Sequence, residues 1–300
     1  MPKAAPPSGE DRVAATMIDV NIPPQPSLMH GYSFEICARD VPRLAAIRPL
    51  IPAGTVVSIT YLPAEPDEAR IAAAREVRRL DLVPMPHVAA RRLPSIAALD
   101  DLLDRLAAEA AVDRLFVIAG DLPAPLGPFP DALAVLDRLC ATDRCPAAIA
   151  IAGYPDGHPQ IATERLDQAR RDKIALLTAH GATIEIMTQF AFDAAPMLTW
   201  LDRVRGEGFI GRVRLGLPGP ASVGTLLRFA ARCGVGTSAK VMAKYGASVT
   251  RLLHNAGPDR LYAELARGLV DRRDFGVGIH LYPFGGLDKM ADWVAAKGRG

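Results

Sequence analysis

Eight short apolar runs, separated by amphipathic stretches, constrain this chain more than any other feature. They are YSFEICA (32–38), TVVSITYL (55–62), LVPMPHVA (82–89), RLFVIAG (114–120), AAIAIAGY (147–154), TIEIMTQF (183–190), RVRLGLPG (212–219) and GVGIHLYPF (276–284). Near-continuous apolar character marks strands buried on both faces, as in a parallel sheet. Between them, DEARIAAAREVRRL (67–80) and IAALDDLLDRLAAEA (96–110) set apolar residues three and four apart with charges between, the pattern of amphipathic helices. Gly181 and Gly208 stand where helices should stop. Eight strands with crossovers predict a single (β/α)8 TIM barrel, an α/β fold, over residues 31–300. The long interval 220–275 has room for extra helices before the last strand. Residues 1–30, with Pro2, Pro6, Pro7, Pro23, Pro24 and Pro26, read as an extended N-terminal arm.

Composition narrows the partners. Lys and Arg exceed Asp and Glu by only two, so no general field favours nucleic acid or an anionic membrane. Aromatic residues at 6% are too few for a base-stacking platform. No apolar run approaches the roughly 18–20 residues of a membrane helix, and the polar start MPKAAPPSGEDR lacks a signal-type core, so a cytoplasmic protein with a small-molecule partner is expected. Cys37, Cys140, Cys145 and Cys233 form no C-x-x-C pair and read as reduced thiols.

Barrel chemistry sits at the C-terminal ends of the strands, and here nearly every strand delivers a polar residue there: Glu35, then Thr60 with Tyr61, His87, Gly120 with Asp121, Tyr154 with Asp156 and His158, Gln189, and His280 with Tyr282. Glu35 is the sharpest. An unpaired carboxylate is expensive to bury in an apolar strand, and desolvation raises its pKa, which suits a general acid. Gln189 offers a donor and an acceptor, as a heteroaromatic edge requires. The chain contains no G-x-S-x-G elbow, no G-x-G-x-x-G between strand and helix, and no P-loop. His87, His158, His280 and Asp121 would have to converge to form a metal site; Glu, Thr, Asp, Gln and Tyr without a nucleophile point instead to a cofactor-dependent site with no metal.

At these strand ends the sequence resembles the methylenetetrahydrofolate reductase family. IAIAGYPDGHPQ (149–160) is similar to the family's strand followed by Gly-Tyr-Pro-Glu-Gly-His-Pro. SFE (33–35), VSITY (57–61), PH (86–87), GD (120–121), TQFAFD (188–193) and IHLYPF (279–284) match in family order. The resemblance implies reduction of 5,10-methylenetetrahydrofolate to 5-methyltetrahydrofolate by hydride from NADH or NADPH through FAD, serving methionine synthesis or one-carbon catabolism. It implies Glu35 as general acid at folate N10, with Asp121 also catalytic. Asp121, Gln189 and Tyr282 would hold the folate. Thr60, His87, Gly120, Asp121, Tyr154, His158, Asp167, Arg170 and Lys173 would lie around FAD. Where the family commonly carries Arg before Gly-Asp this chain has Ala119, which leaves Arg170, Arg171 and Lys173 as the cations for the cofactor's phosphates. Two rival readings keep the barrel: direct hydride transfer from the nicotinamide to the folate without flavin, and a folate- or flavin-binding protein without turnover. Homo-oligomerisation is left open.

Overall fold

The computed structural model describes residues 27–63, 65–142, 144–235, 255–270, 272 and 276–298. Strands β1 (Ser33–Ile36), β2 (Val56–Ile59), β3 (Val83–Ala89), β4 (Arg114–Ile118), β5 (Ala148–Gly153), β6 (Thr183–Phe190) and β7 (Arg212–Pro218) pair in parallel, each with the next. An antiparallel pair follows, β8 (Ala221–Ser222) with β9 (Asn255–Ala256), and then β10 (Val277–Tyr282) pairs with both β7 and β1 to close the barrel. The intervening helices are α1 (Val41–Ile47), α2 (Asp67–Arg79), α3 (Ile96–Ala110), α4 (Ala132–Cys140), α5 (Thr163–Ala179), α6 (Ala194–Gly206), α7 (Val223–Cys233), α8 (Asp259–Val270) and α9 (Leu287–Lys297). This is the (β/α)8 barrel that the spacing predicts, with α7 and α8 as the extra helices before the last strand. The Pro-rich arm lies almost wholly outside the described residues.

Local chemistry explains the elements. α2 carries Asp67 and Glu68 in its first turn and Arg78 and Arg79 in its last, matching the helix dipole, and buries Ile71, Ala74 and Val77. α3 starts where the Ser95 side chain accepts from Ala98 N–H, and buries Leu99, Leu102, Leu103 and Leu106. No helix among the described residues is long and apolar enough to cross a membrane.

Two-residue alternation divides each strand between two cores. Phe34, Ile36, Val57, Ile59, Ile149, Ile151 and Leu215 face the helices in the main core. Val56, Met85, Phe116, Ala150 and Met187 pack together inside the barrel. Below them, near the N-terminal ends of the strands, the lumen is charged. Arg214 Nε donates to Glu185 Oε2 at 2.6 Å, Arg114 lies 3.7 Å from the same carboxylate, and Arg214 and Arg212 also donate to the carbonyl of Gly31. Above the apolar layer the lumen turns polar again and opens into the mouth.

Gly216 shows how closely β6 and β7 approach: a Cβ there would lie 2.6 Å from the Thr188 carbonyl oxygen and 2.8 Å from the Gln189 carbonyl carbon. Both contacts are backbone and cannot move aside cheaply. Gly216→Ala is therefore expected to cost about 1–3 kcal/mol, read as a lower urea midpoint with an unchanged slope.

Candidate functional site at the barrel mouth

The mouth is built around Glu35. Register pairs Glu35 with Ser58, so the two face the lumen from neighbouring strands. His87, from β3, places Nε2 2.7 Å from Ser58 Oγ and 3.5 Å from Glu35 Oε2. Burial, aided by the nearby Arg70 charge, pushes the imidazole down to about 3, so it is neutral. Burial also lifts the Glu35 carboxyl to about 7, although the Thr60 hydroxyl beside it works in the opposite direction. The Glu35–His87 contact is therefore not an ion pair at neutral pH: an uncharged imidazole gives no positive charge to hold the carboxylate ionised. Beside Glu35, Thr60 Oγ1 is buried with no other hydrogen-bond partner among the described residues.

A second serine–histidine pair lies deeper. Ser33 Oγ sits 2.8 Å from His280 Nδ1, while His280 Nε2 is buried without a partner among the described residues. His280 and Tyr282, two residues apart on β10, face the same way with rings 4.8 Å apart, and the Tyr282 hydroxyl donates to the Thr188 carbonyl at 2.9 Å. Tyr282 leads into an aromatic wall: Phe284 stacks on Phe229 at 4.0 Å and meets Phe190 edge-on at 4.8 Å. Gln189 sits at the irregularity where β6 shifts register between Met187 and Phe190, and its Oε1 accepts from Phe190 N–H at 3.0 Å. Burial raises the Tyr282 phenol well above its usual value, and the charges of Glu35, Cys233 and Tyr154 act on it too. Acid, aromatic wall and Tyr154 thus share one mouth.

On the β4 side, Gly120 takes a φ of +89° that favours glycine and turns the chain outward. Asp121 follows and is two-thirds exposed; it accepts a bidentate pair from Arg92 at 2.9 and 3.0 Å. Its carboxylate is held by Arg92.

Of the residues assigned to FAD by resemblance, Thr60 and His87 lie beside Glu35, and Gly120 and Asp121 at the β4 exit. The rest lie at the end of β5 and along α5, where Tyr154, Asp167 and Arg170 line one small cavity. Tyr154 and His158 meet edge-on at 5.5 Å beside β5. Asp167 and Arg170 lie farther along α5 in an ion-pair network. Arg170, 3% exposed, pairs with Asp167 at 3.3 Å and Glu207 at 2.9 Å, and Arg203 reaches Asp167 at 3.0 Å. Arg171 faces Glu207 at 3.6 Å. Lys173 is buried, and burial draws its amine down to about 8 despite the Asp131 charge. With Ala119 apolar, Arg170 buried between two carboxylates and Lys173 buried, these two cations are poorly placed for the phosphates of FAD. Arg171, 47% exposed, is held only loosely by Glu207 at 3.6 Å. No three His, Cys, Asp or Glu side chains among the described residues gather as a metal-binding set.

Sequence reading missed Ser33, Ser58, Arg70 and Arg92. The signal for the serines was present: Ser33 and Glu35, like Ser58 and Thr60, are two apart and so share the lumen face.

No protein-family model matches the chain. Among solved structures, it is similar to a Clostridium thermocellum protein that binds two copies of 5-methyl-5,6,7,8-tetrahydrofolic acid, at 11% identity and a TM-score of 0.55, covering 90% of this chain and 97% of that one. A more distant likeness is Burkholderia cenocepacia dihydropteroate synthase, at 16% identity and a TM-score of 0.44, covering 89% and 91%. At 11% identity, the likeness to the Clostridium thermocellum protein shows the barrel fold alone.

Proposed function

We propose that the barrel reduces 5,10-methylenetetrahydrofolate to 5-methyltetrahydrofolate with hydride taken directly from NADH or NADPH. The observation that carries this reading is Glu35: a carboxyl in the mouth, raised to about 7 by burial and beside a neutral histidine. Such a group is partly protonated at neutral pH and can give that proton to a weakly basic nitrogen. Proton transfer from Glu35 to N10 breaks the bond between N10 and the bridging carbon, leaving a methylene iminium at N5. Hydride from C4 of the dihydronicotinamide adds to that carbon, giving the N5-methyl group and the oxidised nucleotide. Solvent returns the proton to Glu35.

The aromatic wall of Phe190, Tyr282, Phe284 and Phe229 suits a flat pterin or nicotinamide ring. Gln189 keeps its amide nitrogen for the pterin edge. The methylated reduced folate bound by the Clostridium thermocellum barrel is the product of this reaction, in keeping with the reading. Direct transfer is the route favoured here because Ala119 stands where the family commonly carries Arg, and because Arg170 and Lys173 are buried.

The test is NADH oxidation with methylenetetrahydrofolate across a pH series. The acid must be protonated, so kcat/KM should be level below pH 7 and fall about tenfold per unit once pH rises past about 7. A rate that rises with pH through this range would rule out Glu35 as the acid.

A further inference from the structure

We infer that Arg92 is an oxyanion-binding residue at the rim of the mouth, and that Asp121 occupies its binding face until a substrate's phosphate or carboxylate displaces it. This rests on the reductase reading only for the identity of the ligand. The geometry stands on its own. The turn Ala90–Arg92 follows β3 and is held beside β4 by Arg91 N–H donating to the Ala119 carbonyl at 2.9 Å. The Arg92 side chain is 17% exposed and presents Nε and Nη2 side by side to the two oxygens of Asp121, whose side chain is 67% exposed. That fork is the geometry with which Arg recognises carboxylate or phosphate. Because the Asp121 carboxylate is two-thirds in solvent, it can leave the fork for water while another anion takes its place.

The surroundings carry excess positive charge. Arg70 lies 4.3 Å and Arg92 5.8 Å from the Tyr61 ring centroid, so both guanidiniums share one aromatic support. Arg70 pairs with Asp67, yet its Nε is buried without a partner. Arg91 spends its donors on the carbonyls of Pro130 and Leu122 and makes no ion pair among the described residues. Arg70 and Arg92 thus each hold one carboxylate, and Arg91, on carbonyl oxygens, is the one of the three with no ion pair among the described residues. The cluster also touches the acid: Arg70 Nη1 donates to the carbonyl of His87, whose ring meets Glu35. An anion anchored on Arg92 would therefore be the remote end of a substrate whose ring lies in the mouth. Displacement would release Asp121, which stands at the exit of β4, to turn toward the pterin.

The shared chemistry is a planar or tetrahedral oxyanion, with two sources: the phosphates of the nicotinamide nucleotide, or the glutamate carboxylates of the folate. Calorimetric titrations with ADP-ribose and with p-aminobenzoylglutamate separate them and need no turnover. Arg92→Gln should weaken one probe about 10- to 100-fold. Asp121→Asn, which removes the competing carboxylate, should tighten the same probe about two- to fivefold. ADP-ribose responding identifies the nucleotide; p-aminobenzoylglutamate responding identifies the folate tail. The inference is overturned if neither probe binds the wild type, if Arg92→Gln leaves both affinities unchanged, or if Asp121→Asn weakens the probe. Should Arg92→Gln fail to fold, the opposite sign required of Asp121→Asn still decides. Failure of the reductase reading would show separately, as absent NADH oxidation with this binding intact.

Discussion

Glu35→Gln is expected to slow methylenetetrahydrofolate reduction about a thousandfold, the usual scale for a lost general acid, while leaving the affinity for 5-methyltetrahydrofolate nearly unchanged. Gln keeps the volume and can still hydrogen-bond, but it has no proton to give to N10. The same variant has a second signature. The folded carboxyl titrates near 7, above its ordinary 4.5. Its contribution to stability is therefore fully present below pH 4.5 and is lost as pH rises through about 7. Glu35→Gln removes that loss, so the variant should melt higher than wild type at pH 8 while being far slower at pH 7. Full activity in the variant would show that the proton comes from elsewhere.

The second large effect lies at the other end of the barrel. Glu185→Ala is expected to destabilise the fold by about 3–5 kcal/mol, because it leaves buried arginines without their counter-ion. Arg214, 3% exposed, loses its direct partner, Arg212 loses the negative charge that favours its ionised form, and Arg114 is left with Asp113 alone. The melting temperature should drop by roughly 10 °C. Burial works to raise the Glu185 carboxyl, but Arg214, Arg114 and Arg212 overcome it and hold the group below 4.5. The stability it supplies is thus present above pH 4.5 and fades as pH falls below that value, and acid unfolding of Glu185→Ala should lack this component. A melting temperature within 2 °C of wild type, by the same scaling of about 2–4 °C per kcal/mol, would mean that backbone carbonyls such as Gly31 satisfy the arginines alone.

The strands and the two clearest helices were legible in the sequence because burial on both faces and spacing of three and four leave strong periodic marks. The stretch 96–110 and the helix Ile96–Ala110 coincide. Glu35 was legible because a carboxylate in an apolar strand needs a reason. The charged floor was not. Glu185, Arg212 and Arg214 lie in apolar strands too, but their mutual neutralisation depends on a register shared by β6 and β7, in which Glu185 pairs with Arg212 and Met187 with Arg214. The engagement of Asp121 by Arg92 was hidden for a similar reason: the two are 29 positions apart and meet only where the exits of β3 and β4 lie side by side. Arg170 pairs with Asp167 inside α5 and with Glu207 just past α6, and Arg203 of α6 joins through Asp167; no motif in α5 announces the partners from α6 and its end.

Hydride tracing is the most direct test of the reductase reading. The protein is supplied with methylenetetrahydrofolate and NADH carrying deuterium at C4, each face of the ring labelled in turn, and the methyl group of the product is analysed by mass. Direct transfer places one deuterium in the methyl group from one of the two labelled faces, and none when unlabelled NADH is used in deuterated water. A methyl group that takes its new hydrogen from solvent, or substrate left unchanged while NADH remains, would contradict it.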